Sequence, residues 1–162
     1  MASSTIHLTA QPKGFVDHVH RFEVDSKRSR REIWEWLNTP ETFTKNQVWP
    51  FRVEFVAPAG SNQADFSEGV LNAHHGPLLN FSGVLTEIRE EEYRDLHYYY
   101  GSYALSLRWI RPTRLQFWIE DNDDGGCKVI GQVDSYVKPA FSAFWSFAQR
   151  FFWGQFRWWM PK

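Results

Sequence analysis

Five side chains in this sequence have the chemistry for proton transfer in a pocket: His18, His20, Tyr98, Tyr100 and Arg108. General acid–base catalysis needs such a group within about 3 Å of its substrate. None of the five sits in a local motif. The chain has no nucleophile elbow, no glycine loop shaped for phosphate and no metal-ligand spacing. His18 and His20, two residues apart, point the same way on a strand and could touch one metal ion. No carboxylate or cysteine cluster completes that site, so no metal and no cofactor is expected. Asp121-Asn122-Asp123-Asp124-Gly125-Gly126 resembles a calcium loop only briefly. Gly125 stands where a third oxygen ligand is needed, and Gln132 replaces the glutamate of the twelfth position. The run reads as a hairpin loop.

Composition narrows the classes further. The chain has 162 residues, which predicts one domain over 15–162 with a short flexible lead over 1–14. Eighteen Lys and Arg against nineteen Asp and Glu leave a net charge of -1, so no bulk field draws nucleic acid. Cys127 is the single cysteine and can form no intrachain disulfide, which predicts a reducing, cytoplasmic setting. Met1 to Gly14 lacks the apolar core of a signal peptide. Aromatics make up 18% with nine Trp, which implies a bulky core or a cavity lined by rings.

The elements that position these residues follow from periodicity. Phe15 to Val24 reads as a strand with His18, His20 and Phe22 on one face. Ser29 and Glu32 form a capping box for a short helix with Ile33, Trp36 and Leu37 inward. Thr39 as cap and Pro40 as first residue start a second short helix to about Lys45, ended by Trp49-Pro50. Strands are expected from Phe51 to Phe55, Phe66 to His75, Leu79 to Arg89, Arg94 to Tyr100, Thr113 to Asp121 and Cys127 to Val137. Pro58 to Asn62, Gly76-Pro77 and Glu90-Glu91-Glu92 connect them. Tyr103 to Arg111 reads as an extended continuation. Short connections make the sheet an antiparallel meander.

The chain ends in a long aromatic helix from Pro139 to Pro161. Ten of the nineteen residues from Phe141 to Trp159 are Phe or Trp. Wound at 100° per residue, Ser142, Ser146, Gln149, Arg150 and Arg157 form one stripe that also holds Trp153. Phe144, Phe147, Phe151, Phe152, Phe156, Trp158 and Trp159 spread over the other half, which is the half expected to bury against the sheet. Gln149, Arg150, Gln155 and Arg157 interrupt the run too often for a membrane span of about 20 apolar residues. An interfacial or partner-binding helix is the alternative to a core helix.

This order and several segments resemble a known family. Phe22-Glu23-Val24-Asp25 leading to Glu32-Ile33-Trp34 resembles its first strand entering its first helix. Gly83-Val84-Leu85-Thr86-Glu87-Ile88 resembles its mid-sheet strand, and Gly125-Gly126 its last hairpin. The family is the SRPBCC superfamily, with START lipid-transfer domains, birch-pollen-allergen-like proteins and polyketide cyclases. The resemblance implies an α+β helix-grip fold: a curved sheet of about seven strands around a C-terminal helix, enclosing a cavity for hydrophobic or amphipathic molecules.

Alternation puts Tyr98, Tyr100, Leu115, Phe117, Val129, Val133 and Ser135 on the inner face, with His97 and Tyr99 pointing away. Ser82 and Val84 are expected to share the inner face, and His18 and His20 to stand on its wall. Gly131 and Ser135 opposite large rings should leave volume; alternatively, the rings fill the interior. Three functions are compatible with this reading: a carrier of a small hydrophobic ligand such as a lipid, sterol-like or polyketide-like molecule; a cyclase, aromatase or hydratase using the same cavity; or a protein-interaction domain using the Trp-rich helix.

Overall fold

The computed structural model describes residues 10–45, 52–56, 66–75, 81–100 and 108–162. Strand β1 (Val16–Ser26) runs into helices α1 (Arg30–Leu37) and α2 (Pro40–Lys45). Strands β2 (Arg52–Val56), β3 (Leu71–His75), β4 (Phe81–Arg89), β5 (Tyr93–Tyr100), β6 (Ile110–Asp121) and β7 (Cys127–Val137) follow. A 3-10 turn (Pro139–Phe141) then leads into α3 (Ser142–Gly154) and α4 (Phe156–Trp159). The seven strands form one antiparallel sheet in the order β1-β7-β6-β5-β4-β3-β2. Only β1 leaves the meander: it pairs with β7 over its whole length, from Val16 opposite Val137 to Ser26 opposite Cys127. This is the curved sheet with a C-terminal helix of the helix-grip fold.

Local chemistry explains several boundaries. The Ser29 side chain accepts from the Glu32 backbone N–H, and the Glu32 carboxylate accepts from the Ser29 N–H, so the capping box forms. Thr39 behaves differently from expectation, since its hydroxyl donates back to Glu35 O at 2.7 Å and ties down the end of α1. Strand β3 starts at Leu71, five residues later than the apolar pattern predicts. Ser67 to Gly69 turn instead: Val70 N–H donates to Ser67 O, and Gly69 holds φ +86°. The chain end is clamped beside β1, where Ser26 Oγ donates to Pro161 O at 2.7 Å and Arg28 Nε to Lys162 O.

The aromatic helix is divided in two at Gln155 and presents its other face to the sheet. Trp145, Gln149, Trp153, Phe156 and Met160 are buried, whereas Phe144, Phe147, Phe151 and Trp158 are exposed. Of the stripe expected to face water, Gln149 and Trp153 therefore face the core while Arg150 and Arg157 stay exposed, and much of the all-apolar half faces out. Gln149 is tolerated inside because its Oε1 accepts the Trp153 indole N–H at 2.9 Å. Trp153, lying among the polar positions, sets the direction of the helix. It stacks on Phe22 at 4.6 Å and meets Phe117 edge-on at 6.0 Å.

Among the described residues no helix is long and apolar enough to cross a membrane. Of the expected lead over 1–14, residues 10–14 are described and mostly exposed; Gln11 Nε2 donates to Phe15 O, and Lys138 Nζ to Lys13 O. Trp49-Pro50, Phe51, Pro58 to Asn62, Gly76-Pro77, Leu79 and Tyr103 to Leu107 lie outside the described residues.

Candidate functional site

The strand registers lay the inner face out in rows across the sheet. One row reads Phe22, Gly131, Phe117, Arg94 and Ile88. The next reads His20, Val133, Leu115, Leu96 and Leu85. In a third, His18 pairs with Ser135, while Tyr98, Gly83, Asn72 and Phe55 continue across the far strands. Leu115, Phe117, Val129, Val133, Ser135 and Tyr98 are all buried on this face, and His18 and His20 stand at its β1 edge. Tyr98 is 3% exposed and Tyr99 39%, as the alternation requires. Tyr100 pairs with Phe81 at the end of β5, and its side chain lies outside the described residues.

Two residues fall on the opposite face. Ser82 pairs with Tyr99 and Val84 with His97, so both belong to the convex side. The inward residues of β4 are Gly83 and Leu85. Leu85 is the larger buried group, and Gly83 is needed because a Cβ there would stand 2.8 Å from the Tyr98 ring. A bulge between Leu85 and Glu87 then lets Ile88 return inward opposite Arg94, which breaks strict alternation.

The volume expected beside Gly131 and Ser135 is occupied. A Cβ at position 131 would meet the Phe22 ring at 2.1 Å, so that ring lies on the bare backbone. Trp145 covers Ser135 and donates its indole N–H to Ser135 Oγ at 3.0 Å. The buried apolar residues thus separate into two clusters. The larger holds Phe117, Trp153, Phe156, Leu115, Leu96 and Val133; the smaller holds Ile110, Val137 and Trp145. Gln149 lies one helical turn from both Trp145 and Trp153, at the seam between the clusters.

Polar groups gather at that seam. His18 Nε2 is 2.8 Å from Ser146 Oγ on α3, while its Nδ1 is buried and meets nothing beyond its own backbone among the described residues. Burial lowers the His18 pKa from the ordinary histidine value. His20 is lowered too, first by burial and then by the charges of His18 and Arg150. Both rings therefore favour the neutral form, which can accept a proton. Tyr98 lies deeper, with its phenol pushed up by burial and the His74 ring 5.3 Å away. Arg108 is exposed. Among the described residues no cluster of His, Cys, Asp or Glu could hold a metal ion.

Arg94 is the inward residue that the sequence reading passed over. It is buried, donates to Leu37 O and Asn38 Oδ1, and lies over the rings of Phe66 (4.3 Å), Phe117 (5.1 Å) and Phe43 (5.5 Å). It ties the end of α1 to the sheet. Burial lowers its pKa to about 9, and no carboxylate pairs with it among the described residues. Its position was readable, because the alternation that turns Leu96 and Tyr98 inward also turns Arg94 inward.

The chain has the helix-grip fold of the SRPBCC and birch-pollen-allergen-like proteins. Solved structures share it over most of the chain. The Mll3558 protein from Rhizobium loti has a TM-score of 0.64 at 8% identity, covering 90% of this chain and 99% of its own. A norcoclaurine synthase point mutant from Thalictrum flavum, in complex with a transition-state analogue, has 0.59 at 14%, covering 80% and 81%. Ara h 8.0201 has 0.59 at 14%, covering 88% and 94%. No protein-family model and no curated protein sequence matches the chain.

Proposed function

We propose that this protein binds a small hydrophobic or amphipathic molecule between the inner face of its sheet and α3. The observation that carries the reading is the seam between the two buried clusters. Beside it, within the larger cluster, the sheet offers the aliphatic row Val133, Leu115, Leu96 and Leu85, and the helix offers Gln149 between two Trp. An apolar floor with a few convergent polar groups is the usual make-up of a small-molecule site. His18, His20 and Tyr98 would orient a polar end, and ring faces suit a flat or fused apolar body such as a sterol-like or polyketide-like ligand. A fatty ligand fits the same floor. A cytoplasmic setting is in keeping with the buried free thiol of Cys127.

A second reading is a cyclase- or hydratase-type enzyme using the same seam. It is favoured by two neutral-leaning histidines, one of them on the Ser146 hydroxyl, facing an apolar floor. Norcoclaurine synthase, of similar fold, has been captured with dopamine and hydroxybenzaldehyde, which are small aromatic molecules. Native mass spectrometry of the protein purified from cells tests the carrier reading. A bound mass extractable into organic solvent is expected. It should be absent from Val133→Phe, which fills the floor. The same bound mass on both proteins would move the ligand elsewhere.

A further inference from the structure

The outward face of the C-terminal helices carries a line of exposed rings on which none of the described residues packs. Phe144 is 55% exposed, Phe147 68%, Phe151 61% and Trp158 68%. At 100° per residue Phe144, Phe147 and Phe151 on α3 fall within about 60° of one another, so they form one ridge roughly 10 Å long, and Trp158 on α4 is exposed beyond it. Phe147 and Phe151 stack at 6.5 Å along it. Such an apolar ridge on a soluble surface marks a contact with something else. Charge is as one-sided as shape here. Residues 138–162 contain Lys138, Arg150, Arg157 and Lys162 and no Asp or Glu, so the rest of the chain carries a net -5 against their +4 (-1 in total). Arg150 and Arg157 flank the ridge, exposed, and Arg157 and Lys162 lie over the Trp158 ring at 5.2 and 5.6 Å.

We propose that this ridge docks the protein on a bilayer surface bearing anionic headgroups. The rings would enter the boundary between headgroups and acyl chains, and the cations would stay at headgroup level. That is the division of an interfacial amphipathic helix, with the sheet bound to its other side. The ridge is convex, so it suits a fluid surface that deforms around it. A second copy of the same helices would bring only cations to meet these cations. Docking depends on surface residues alone and holds whether or not the seam beneath binds a ligand.

Co-sedimentation with vesicles tests it. The wild type should pellet with vesicles of phosphatidylcholine and phosphatidylserine and not with phosphatidylcholine alone. Salt at about 1 M, where screening acts over roughly 3 Å, should release much of it. Phe147→Ser/Phe151→Ser should weaken binding by about tenfold or more with an unchanged melting temperature, since both rings are exposed. Arg150→Ala/Arg157→Ala should lose the preference for anionic vesicles. Trp158 emission should shift to the blue on binding. Wild type that stays in the supernatant, or a double phenylalanine variant that binds equally, overturns the proposal. So does sedimentation equilibrium showing a wild-type dimer that the phenylalanine variant makes monomeric, which would assign the ridge to a second copy.

Discussion

Phe22 lies on Gly131: a single added methyl at position 131 would be 2.1 Å from its ring. The ring has nowhere to go, because Trp153 stacks on it at 4.6 Å and Phe156 meets it at 5.4 Å. Gly131→Ala should therefore destabilise the protein by about 1–3 kcal/mol, the usual cost of overpacking a core. Phe22→Leu in the same background should recover part of that loss, so the two substitutions couple when melted singly and together. Strictly additive losses would mean that the ring does not rest on the glycine.

Histidine titration should be visible in the acid limb of stability. His18 and His20 both have lowered pKa values, through burial first. Below about pH 6.5 the unfolded chain takes up protons at these rings that the folded chain resists. Their contribution is complete above that pH and is lost as the pH falls toward and through the lowered values. His18→Gln/His20→Gln should flatten the fall in melting temperature between about pH 7 and about pH 5. An unchanged slope would place the titrating groups elsewhere.

On the convex face Asp95 is buried and chelated. Arg114 Nε donates to Oδ1 at 2.9 Å and Nη2 to Oδ2 at 2.7 Å, and His97 Nε2 is 3.0 Å from Oδ2. Burial alone would raise this carboxyl, but His97 and Arg114 hold it below the ordinary value. Asp95→Asn should cost about 2–4 kcal/mol in denaturant melts. Breaking a fully buried pair costs roughly 3–5 kcal/mol, and here Arg114 keeps some contact with water. A change within about 0.5 kcal/mol would show the pair to be no stronger than a surface one.

The sequence carried the strand plan better than the phase of individual faces. The bounds of β7 follow directly from the alternation of Cys127 to Val137, and the end of β5 from that of Leu96 and Tyr98. In β4 both phases look apolar: Phe81, Gly83 and Leu85 compete with Ser82 and Val84. Only pairing with β5 decides between them. The bulge before Glu87 cannot be read from composition at all. The C-terminal helix failed for a related reason. It is apolar nearly all round, so its amphipathicity could not choose a face. The indole–amide bond of Trp153 to Gln149 makes that one polar member of the stripe buriable. Arg94 was hidden by its charge, since a guanidinium among Phe43, Phe66 and Phe117 is expected outside.

Reception of an apolar ligand in the seam above Val133, Leu115 and Leu96 is measured most directly by a fluorescence titration. Trp145 and Trp153 border the seam and report on it. A sterol-like, polyketide-like or fatty probe should give a saturable change with affinity in about the micromolar range, near -8 kcal/mol. In Val133→Phe, with circular dichroism unchanged, that response should vanish. A wild type that shows no saturable response to any of the three probes, or a filled variant that responds like it, would contradict the account.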